Sequence, residues 1–311
     1  MILLSFFLLA VGILVLVKSS DFVIKKSIYL ATVTNISYAF IGFIILAIGT
    51  SIPELAVTVL SSFEKQTPLA LGTLFGANVT DIGLVLGILC IFSVILIGKK
   101  DMKMLLLVTL ITSLSTALAM VMGGLSFNLG CLLIVIFLLL SYHLVKNEHF
   151  AIIGKNMKKV ATSEIAKIVF LVLLGILMVI LSASVVIGSA VDIANFFGIS
   201  SGIIGVLLAM GTTLPELSVS LTALKRKNVS LAMGNIIGSL FVNLTLLLGI
   251  AALIQPINLD HTLFIVTSFV LLSNIVLYLI TRKKWLSRRD GIILLALYAI
   301  FLSVLFVIGI F

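Results

Sequence analysis

The chain has 311 residues, of which 62% are hydrophobic and 10% are charged, and it carries a formal net charge of +9. Soluble domains contain about a quarter charged residues, so this composition excludes an ordinary soluble globular protein. It is typical of a membrane protein, because each spanning helix needs about 20 mostly apolar residues. The two cysteines, Cys90 and Cys131, lie inside apolar runs. This position favours packed thiols over a disulfide or a metal site.

Ten apolar runs between breaks predict ten membrane-spanning helices. Helices are expected because lipid tolerates no unpaired backbone group, and runs of this length suit helices and not barrel strands. The predicted spans cover residues 2–18, 37–63, 69–97, 104–122, 127–145, 166–190, 201–224, 229–254, 262–281 and 291–311.

Basic residues are unevenly distributed between the loops that join these spans. Alternate loops hold 19 of the 20 Lys and Arg residues, and the single exception is Lys65. Cytoplasmic loops of membrane proteins carry an excess of Lys and Arg. The pattern therefore predicts a multi-pass protein of the plasma membrane, embedded in the lipid bilayer with both termini outside. Because topology explains the basic excess, nucleic acid is not expected as a partner.

The chain resembles itself at a distance of 162 residues. The sequence AIGTSIPEL at 47–55 aligns with AMGTTLPEL at 209–217, and the match continues without a gap to Gly87 and Gly249. Five predicted spans separate the two copies, so the copies would enter the bilayer in opposite directions. We therefore predict an all-α polytopic membrane protein with two inverted-topology five-helix repeats. The repeats would cover 1–145 and 166–311, with a cytoplasmic linker at 146–165.

Each copy contains a Gly-Thr-[Ser/Thr]-X-Pro-Glu sequence in the middle of a predicted span. Pro53 and Pro215 have no backbone N–H and clash with the carbonyl four residues earlier, near Gly49 and Gly211. Freed carbonyls at membrane depth are tolerated only beside a cavity or a ligand. These four residues therefore predict paired helix breaks at a central binding site.

Three of the 11 acidic residues, Glu54, Asp81 and Glu216, fall inside predicted spans, and no Lys or Arg falls at a comparable depth. An ionisable side chain there costs about 2.5–3.5 kcal/mol on insertion scales. The three acids therefore predict a site that a cation or a proton compensates. The alternative is a protonated acid that hydrogen-bonds a neighbouring helix, and it remains open above all for Asp81.

Helical spacing places further oxygen-bearing residues beside these acids. Carboxylate, hydroxyl, amide and carbonyl oxygens favour inorganic cations such as Na⁺, Ca²⁺ or Mg²⁺, and Ca²⁺ best tolerates an irregular site. No resident cofactor is expected, since the ions would be the transported substrates. The residues that share helix faces are Ala47, Thr50, Ser51 and Glu54; Ala209, Thr212, Thr213 and Glu216; Ala77 and Asp81; and Ser239 and Asn243.

Glycines recur at four-residue spacing in the third and eighth predicted spans. Small residues at this spacing let helix backbones approach closely. We therefore predict close helix contacts at Gly72/Gly76, Gly83/Gly87 and Gly234/Gly238.

The paired blocks GTSIPE at 49–54 and GTTLPE at 211–216 resemble the two alpha repeats of the calcium/cation antiporter superfamily. The blocks GANVTD at 76–81 and GSLFVN at 238–243 resemble the second halves of those repeats. The similarity is greatest to the prokaryotic type of the sodium/calcium exchanger branch. It implies exchange of Ca²⁺ for Na⁺ by alternating access, for which a monomer would suffice.

The resemblance also implies which residues bind which ion. Glu54 and Glu216, with the backbone carbonyls of Thr50 and Thr212, would bind Ca²⁺. Asp81 and Asn243 would line the middle of the site, where Asp81 could carry a proton. The implied Na⁺ ligands include the same two glutamates and Thr212, flanked by Ala47, Ser51 and Ser239 on one side and by Ala209, Thr213 and position 77 on the other.

Two features depart from the family pattern. Relatives tend to carry Asn in the first repeat and Asp in the second, whereas this chain has Asp81 and Asn243, and Ala77 stands where a hydroxyl residue is usual. Both departures favour a proton/calcium antiporter as the alternative function, while the Gly-Thr-[Ser/Thr]-X-Pro-Glu blocks favour Na⁺. Inverted broken helices disfavour a passive channel. An enzyme is not expected, because no Gly-X-Gly-Asp or Gly-X-Ser-Gly site is present.

Overall fold

The computed structural model describes residues 2–34, 36–63, 67–96, 98–146, 162–197, 210–258, 261–283 and 285–307. Helices make up almost all of these ranges, and the only strands within them are two residues long. The helices are α1 (Ile2–Thr34), α2 (Tyr38–Thr50), α3 (Ile52–Phe63), α4 (67–92), α5 (Lys99–Val121), α6 (Phe127–Lys146), α7 (Thr162–Phe196), α8 (Leu214–Lys225), α9 (Val229–Ile254), α10 (His261–Thr281) and α11 (Arg288–Val307).

Among the described residues, seven helices are long and apolar enough to cross a membrane. Helices α2 and α3 add an eighth if this pair, which is bent by 42°, is a single span. The apolar part of α6, Phe127–His143, is shorter than the other candidates. The predicted seventh span, 201–224, lies partly outside the described residues, as does most of the predicted linker at 146–165.

Two helices are much longer than the spans predicted for them. Helix α1 has 33 residues, although the predicted span ended at residue 18, and α7 has 35 residues. The first predicted span ended at residue 18, but the helix does not end there, because Lys18 and Lys25 continue it. Lysine is a good helix former, so charge marks the edge of the apolar region and not the end of the helix. At 1.5 Å per residue, α1 is about 50 Å long, well beyond a hydrocarbon core of about 30 Å.

The two long helices pack against each other in antiparallel orientation. A Cβ atom added at Gly12 of α1 would lie 3.0 Å from Val186 of α7, and one added at Gly175 of α7 would lie 2.6 Å from Val23 of α1. A methyl group at either point would therefore require the facing valine side chain to shift. Much of α1 beyond this contact is exposed apolar surface, as expected for a helix that faces lipid.

Three helices contain a π-helical turn. These turns cover Ile41–Leu46 in α2, Asp81–Leu86 in α4 and Val242–Leu247 in α9. Such turns are rare, and they occur frequently at functional sites. Two of them contain Asp81 and Asn243, the polar residues predicted to line the middle of the site.

The short strands form one pair in basic loops and one pair in loops without Lys or Arg. Strand β1 (Ile95–Leu96) pairs with β4 (Trp285–Leu286), and β2 (Gly124–Leu125) pairs with β3 (Ile257–Asn258); both pairs are antiparallel. Lys99 and Arg288 flank the first pair, and no basic residue lies near the second in the sequence. Each pair joins two loops that the charge pattern assigns to the same membrane face.

The order of elements in the second half follows that in the first. A shift of 162 residues carries Ile52–Phe63 onto Leu214–Lys225 and Ile95–Leu96 onto Ile257–Asn258. The same shift matches the π turns of α4 and α9 to within one residue. The internal similarity of the sequence therefore extends to the positions of helices, strands and π turns.

Glycines bring α9 against the backbone of α2, as their spacing predicts. A Cβ atom at Gly234 would lie 2.4 Å from the carbonyl oxygen of Ala39, and one at Gly238 would lie 2.4 Å from that of Phe43. Real Cβ contacts are not this short, so neither position accepts a larger residue without movement of α2. Through this contact, the first half of α9 packs against α2, the helix that ends at the break at Ser51.

The other two glycine pairs differ from each other. Gly83 and Gly87 of α4 pack against Tyr298 and Leu295 of α11, as predicted. For Gly72 and Gly76, no described residue lies within 4 Å of an added Cβ atom, so the predicted close contact finds no support there. The cysteines agree with their prediction, since buried Cys90 and half-buried Cys131 are both free.

Candidate ion-binding site

In each copy of the internal repeat, the helix is interrupted just before the proline. Ser51 forms a turn between α2 and α3, with φ −82° and ψ 10°, and Thr213 forms a matching turn before α8, with φ −91° and ψ 3°. Pro53 and Pro215 are the second residues of the helices that follow. A proline is tolerated in the first helical turn because its missing N–H would have no intrahelical partner there.

Glu54 and Glu216 occupy the first turns of α3 and α8. Both side chains are only 1% exposed. The N-terminal end of a helix carries partial positive charge, which favours a carboxylate at this position. The repeat therefore places two buried carboxylates at two helix N-termini, one from each half of the chain.

Two serines connect the carboxylates of the two halves. The Ser51 hydroxyl lies 3.4 Å from Oε1 of Glu216 and 3.2 Å from the Ser239 hydroxyl. Ser239 donates a hydrogen bond of 2.9 Å to Oδ2 of Asp81. Because each hydroxyl has a single proton, Ser51 can donate either to Glu216 or to Ser239, but not to both at once. We call Glu54, Asp81 and Glu216, together with Ser51 and Ser239, the acidic cluster.

Glu54 is linked to the rest of the acidic cluster by electrostatic interactions, and it also interacts with one threonine. Its carboxyl group interacts electrostatically with Glu216 and Asp81, and with the side chain of Thr212. Glu216 interacts in the same way with the side chain of Thr50. Each glutamate thus faces a threonine from the opposite half of the chain, as the repeat predicts.

The acidic cluster contains acceptor atoms that the described residues leave unsatisfied. Both carboxylate oxygens of Glu54, Oδ1 of Asp81 and Oε2 of Glu216 are buried without a geometrically good donor. Among the described residues, no Lys or Arg forms an ion pair with these three acids. Burying charge without a partner is costly. Oxygens in this condition are the ligands that hard cations such as Ca²⁺ and Na⁺ prefer.

Asn243 adds a further unsatisfied group, since neither its amide oxygen nor its amide nitrogen has a partner among the described residues. No group of three or more His, Cys, Asp and Glu residues within the described ranges is arranged to hold a metal ion.

Asn235 is a buried polar residue that the sequence analysis missed. Its Nδ2 donates to the Ser220 hydroxyl at 3.0 Å, and its Oδ1 lies 3.4 Å from the Thr50 hydroxyl. Asn235 thus lies beside Thr50, whose carbonyl is a predicted ligand and whose hydroxyl is closer to the Leu46 carbonyl, at 3.0 Å. Asn235 lies four residues before Ser239, so helical spacing could have placed it on the same face of α9.

The remaining predicted site residues lie around the acidic cluster. Ala47 and Ala77 are buried, and Ala47 packs where a side chain at Gly238 would stand. Thr213 is buried and donates to the backbone carbonyl three residues earlier, at 2.9 Å. Ala209 lies outside the described residues.

Helix α7 touches both helix breaks with two isoleucines. A Cβ atom at Gly49 would lie 2.6 Å from Ile176, and one at Gly211 would lie 2.6 Å from Ile187. These isoleucines are 11 residues apart, which is about three turns, so they share one face of α7 about 16 Å apart. One uninterrupted helix therefore covers both breaks.

Comparison with known proteins identifies the family. The profile described as "Sodium/calcium exchanger protein" matches residues 4–146 and 167–307. The chain belongs to the sodium/calcium exchanger family. Within this family it is 32% identical to an uncharacterized membrane protein of Methanocaldococcus jannaschii, over 95% of each chain. It is 28% identical to the sodium/calcium exchanger MaX1 of Methanosarcina acetivorans, over 99% of this chain and all of that one.

Solved structures of this family have the same fold. The sodium-calcium exchanger NCX_Mj, soaked with 10 mM Na⁺ and without Ca²⁺, matches with a TM-score of 0.86 and 29% identity, over 97% of this chain and 99% of that one. The same exchanger soaked with Na⁺ and Sr²⁺ gives a TM-score of 0.84. The chain is therefore an all-helical multi-pass membrane protein of a transporter family, as the sequence predicts, and the family resemblance is confirmed.

Proposed function

We propose that this protein is a secondary active antiporter that exchanges Ca²⁺ for Na⁺ across the membrane. The observation that carries the proposal is the set of unsatisfied buried oxygens on Glu54, Asp81 and Glu216. Bound cations would compensate these charges, and no described basic residue does so. Family membership supports the choice of ions, since a relative similar over its whole length is named a sodium/calcium exchanger.

In the proposed site, Ca²⁺ binds between Glu54 and Glu216 with the backbone carbonyls of Thr50 and Thr212. Na⁺ ions use the same carboxylates with Ser51, Ser239, Thr212 and Thr213, and with Ala47 and Ala209 nearby. Both ions need the same glutamate oxygens, so full binding of one excludes full binding of the other. This competition is what couples the two fluxes.

The alternating-access mechanism depends on the free-energy cost of burying the charged site without bound cations. Without cations, the buried carboxylates of Glu54, Asp81 and Glu216 have no described counter-charge inside the helix bundle, which opposes passage of the site through an occluded state. Cations lower that cost, and they shift the equilibrium only if they bind the states with different affinity. Helices α1 and α7 are the proposed moving pair, because they pack along each other and α7 covers both breaks.

We further propose ten spans arranged as two inverted repeats, at 1–145 and 166–311, with a cytoplasmic linker between them and both termini outside the plasma membrane. The shift of 162 residues between matching elements supports the repeat. The strand pairs support the topology, because each joins loops of the same charge character. A single chain holds every proposed ligand, so a monomer is sufficient for transport.

A proton/calcium antiporter is the second candidate, and Asp81 favours it. Asp81 is fully buried, and only one of its oxygens accepts a hydrogen bond from a described residue. Ala77, on the same face of α4, offers no side-chain oxygen for Na⁺. A proton on Asp81 could therefore replace one Na⁺ in the cycle without changing the fold or the Ca²⁺ ligands.

Flux measured in liposomes tests both candidates. Purified protein is reconstituted, the liposomes are loaded with Na⁺ and diluted into Na⁺-free buffer, and uptake of labelled Ca²⁺ is followed. A parallel set carries only a pH gradient. Sodium-driven uptake that is lost in Glu54→Gln supports the Na⁺/Ca²⁺ exchanger.

The matched control is Glu164→Gln, which removes an acidic residue outside the acidic cluster and should leave uptake unchanged. Uptake driven only by the pH gradient would show that protons, and not Na⁺, are the coupling ions. Normal Ca²⁺ uptake by folded Glu54→Gln would overturn the proposed site.

A further inference from the structure

A groove of about 440 Å³ lies between α5 and α10, two helices that carry no residue of the acidic cluster. Leu106, Leu110 and Ser113 line it from α5, and Asn274 and Tyr278 line it from α10. Leu110 is 57% exposed and Tyr278 is 47% exposed. Because both helices are apolar spans of a membrane protein, this exposed surface meets lipid. The groove is therefore open to molecules that arrive from the bilayer.

Asn274 gives the groove an unsatisfied hydrogen-bond donor. Its side chain is only 1% exposed, and Nδ2 has no acceptor among the described residues. The hydroxyl of Ser113 donates to the carbonyl of Thr109 at 2.6 Å, so it does not need a ligand. A buried amide without an acceptor is costly in a membrane, where water cannot replace the missing partner. An occupant with an acceptor oxygen at this depth would remove that cost, which a hydrocarbon chain alone cannot do.

Helical spacing places two basic residues toward one end of the groove, which we call its mouth. Lys103 lies three and seven residues before Leu106 and Leu110, on the face of α5 that lines the groove. Arg282 follows Tyr278 by four residues, at the end of α10. Both basic side chains are exposed, and neither forms an ion pair with a described residue. Two free positive charges at the mouth of a lipid-facing groove attract an anionic headgroup.

The long Arg282 side chain lets it and Asn274 contact the same lipid molecule, because it can span part of the distance between them. Asn274 is eight residues from Arg282, which is about 12 Å along α10. In a phospholipid, the ester carbonyls lie deeper in the membrane than the phosphate. An oxygen near Asn274 and a phosphate near Arg282 therefore fit the same orientation, with the acyl chains along the exposed side chains of the groove.

We propose that the groove between α5 and α10 binds an anionic phospholipid from the leaflet on the basic side of the protein. Lys103 and Arg282 hold its phosphate, and Nδ2 of Asn274 donates to one of its ester carbonyl oxygens. Leu110 and Tyr278 contact its acyl chains. The site is separate from the acidic cluster, and the proposal does not depend on which ions the protein exchanges.

Lipid binding to the delipidated protein tests this site. The purified full chain in detergent is titrated with phosphatidylglycerol or phosphatidylcholine, and native mass spectrometry counts the bound lipid. We expect phosphatidylglycerol to bind the wild type at least tenfold more tightly than phosphatidylcholine. The double variant Lys103→Gln/Arg282→Gln, changed only at exposed positions, should lose that preference. Asn274→Leu should bind phosphatidylglycerol about tenfold more weakly, as expected for the loss of one hydrogen bond.

Thermal unfolding supplies a second readout. The difference in Tm between Asn274→Leu and the wild type should depend on whether lipid is present. In lipid-free detergent, Asn274→Leu should unfold at the same or a higher temperature than the wild type, because it removes the unsatisfied amide. Added phosphatidylglycerol should raise the Tm of the wild type more than that of the variant. The control, Ser268→Leu, replaces a polar residue of α10 that does not line the groove and should behave as the wild type.

Three results would overturn the proposal. The first is equal binding of phosphatidylglycerol and phosphatidylcholine by the wild type. The second is retention of phosphatidylglycerol by Asn274→Leu at the level of Ser268→Leu. The third is equal stabilisation by inorganic phosphate, which would show that the basic residues bind a free anion and not a lipid.

Discussion

Ser51 and Ser239 lie hydroxyl to hydroxyl at 3.2 Å, and each also reaches one carboxylate of the acidic cluster. Ser51 comes from the first helix break, and Ser239 comes from α9 in the second half of the chain. The contact therefore crosses the boundary between the two proposed repeats. A chain of two hydroxyl groups thus links the carboxylate of Glu216 to that of Asp81.

Calcium should stabilise the protein through Glu54. At a Ca²⁺ concentration 100 times Kd, binding to the folded state alone adds about 2.7 kcal/mol of stability. Glu54→Gln should lose this gain while remaining equally stable or more stable without Ca²⁺, because it removes a buried unpaired charge. The measurement is thermal unfolding in chelator and in Ca²⁺. Glu164→Gln is the control and should keep the full gain; an equal gain in Glu54→Gln would remove Glu54 from the site.

Exchanging the acid between the two halves should preserve transport. Asp81→Asn alone lowers the negative charge of the cluster, so cation-driven Ca²⁺ uptake should fall by about tenfold or more, since the loss of a charged ligand costs upwards of 1.4 kcal/mol. The double variant Asp81→Asn/Asn243→Asp restores the charge and should recover uptake. If protons are the coupling ions, the double variant should also change how uptake depends on pH. Uptake by Asp81→Asn at the wild-type level and pH profile would show that Asp81 takes no part.

Alanine at two matching glycines should have unequal effects. In Gly238→Ala, the new methyl group meets Phe43 O at 2.4 Å and Ala47 Cβ at 2.5 Å, so we expect a loss of about 1–3 kcal/mol. Gly76→Ala, at the equivalent position of α4, has no described neighbour within 4 Å. It should be neutral, or slightly stabilising through the better helix propensity of alanine. Denaturation of both variants in the same detergent compares them directly, and equal losses would contradict the asymmetry.

Asn235 should affect Ca²⁺ binding without touching the ion. Asn235→Leu removes the hydrogen bond to Ser220 and the 3.4 Å contact with the Thr50 hydroxyl, so the end of α2 that carries the Thr50 carbonyl loses a polar contact with α9. We expect the Ca²⁺ concentration for half-maximal uptake to rise about tenfold, as for loss of one buried hydrogen bond, with a smaller effect on maximal uptake.

The control for that variant separates stability from positioning. Asn228 caps α9 by accepting from the backbone N–H of Leu231 at 3.2 Å. Asn228→Ala should cost about 1 kcal/mol of stability, yet it should leave the half-maximal Ca²⁺ concentration unchanged. A tenfold rise in Asn228→Ala as well would attribute the effect of Asn235→Leu to general destabilisation.

The proposed topology places the two strand pairs on opposite faces of the membrane. In a background in which Cys131→Ser removes the half-buried thiol, Asn128→Cys should react with a membrane-impermeant maleimide added outside the cell. Arg289→Cys, beside the basic strand pair, should react only after the membrane is opened. Both positions are exposed in the structure. The reverse labelling pattern would invert the topology while leaving the fold unchanged.

Local chemistry was enough to predict the two helix breaks and the burial of the acids beside them. Pro53 and Pro215 predict where the helices break, and the acids that follow them mark the buried carboxylates. The hydrogen bond between Ser239 and Asp81 was not predicted, because helical spacing grouped Ser239 with Asn243 and Asp81 with Ala77. The family and the helical membrane fold were likewise accessible from these motifs.

Other features depend on neighbours that a single sequence does not reveal. Gly72 and Gly76 have the same spacing as Gly234 and Gly238, but only the second pair has backbone against it among the described residues. The end of α1 was missed because Lys18 and Lys25 continue a helix as readily as they end an apolar run. Asn235 was missed because its importance lies in Thr50, more than 180 residues away along the chain.

The contacts of Ile176 and Ile187 with the two breaks have a mechanical consequence for the proposed cycle. Both isoleucines belong to one uninterrupted helix, so any slide of α7 displaces them together by the same distance. A movement that uncovers the break at Gly49 therefore also moves Ile187 relative to Gly211. If α7 moves as one body, a single displacement therefore sets how far both breaks are covered. Moving Ile176 away from the break at Gly49 without moving Ile187 would require α7 to bend.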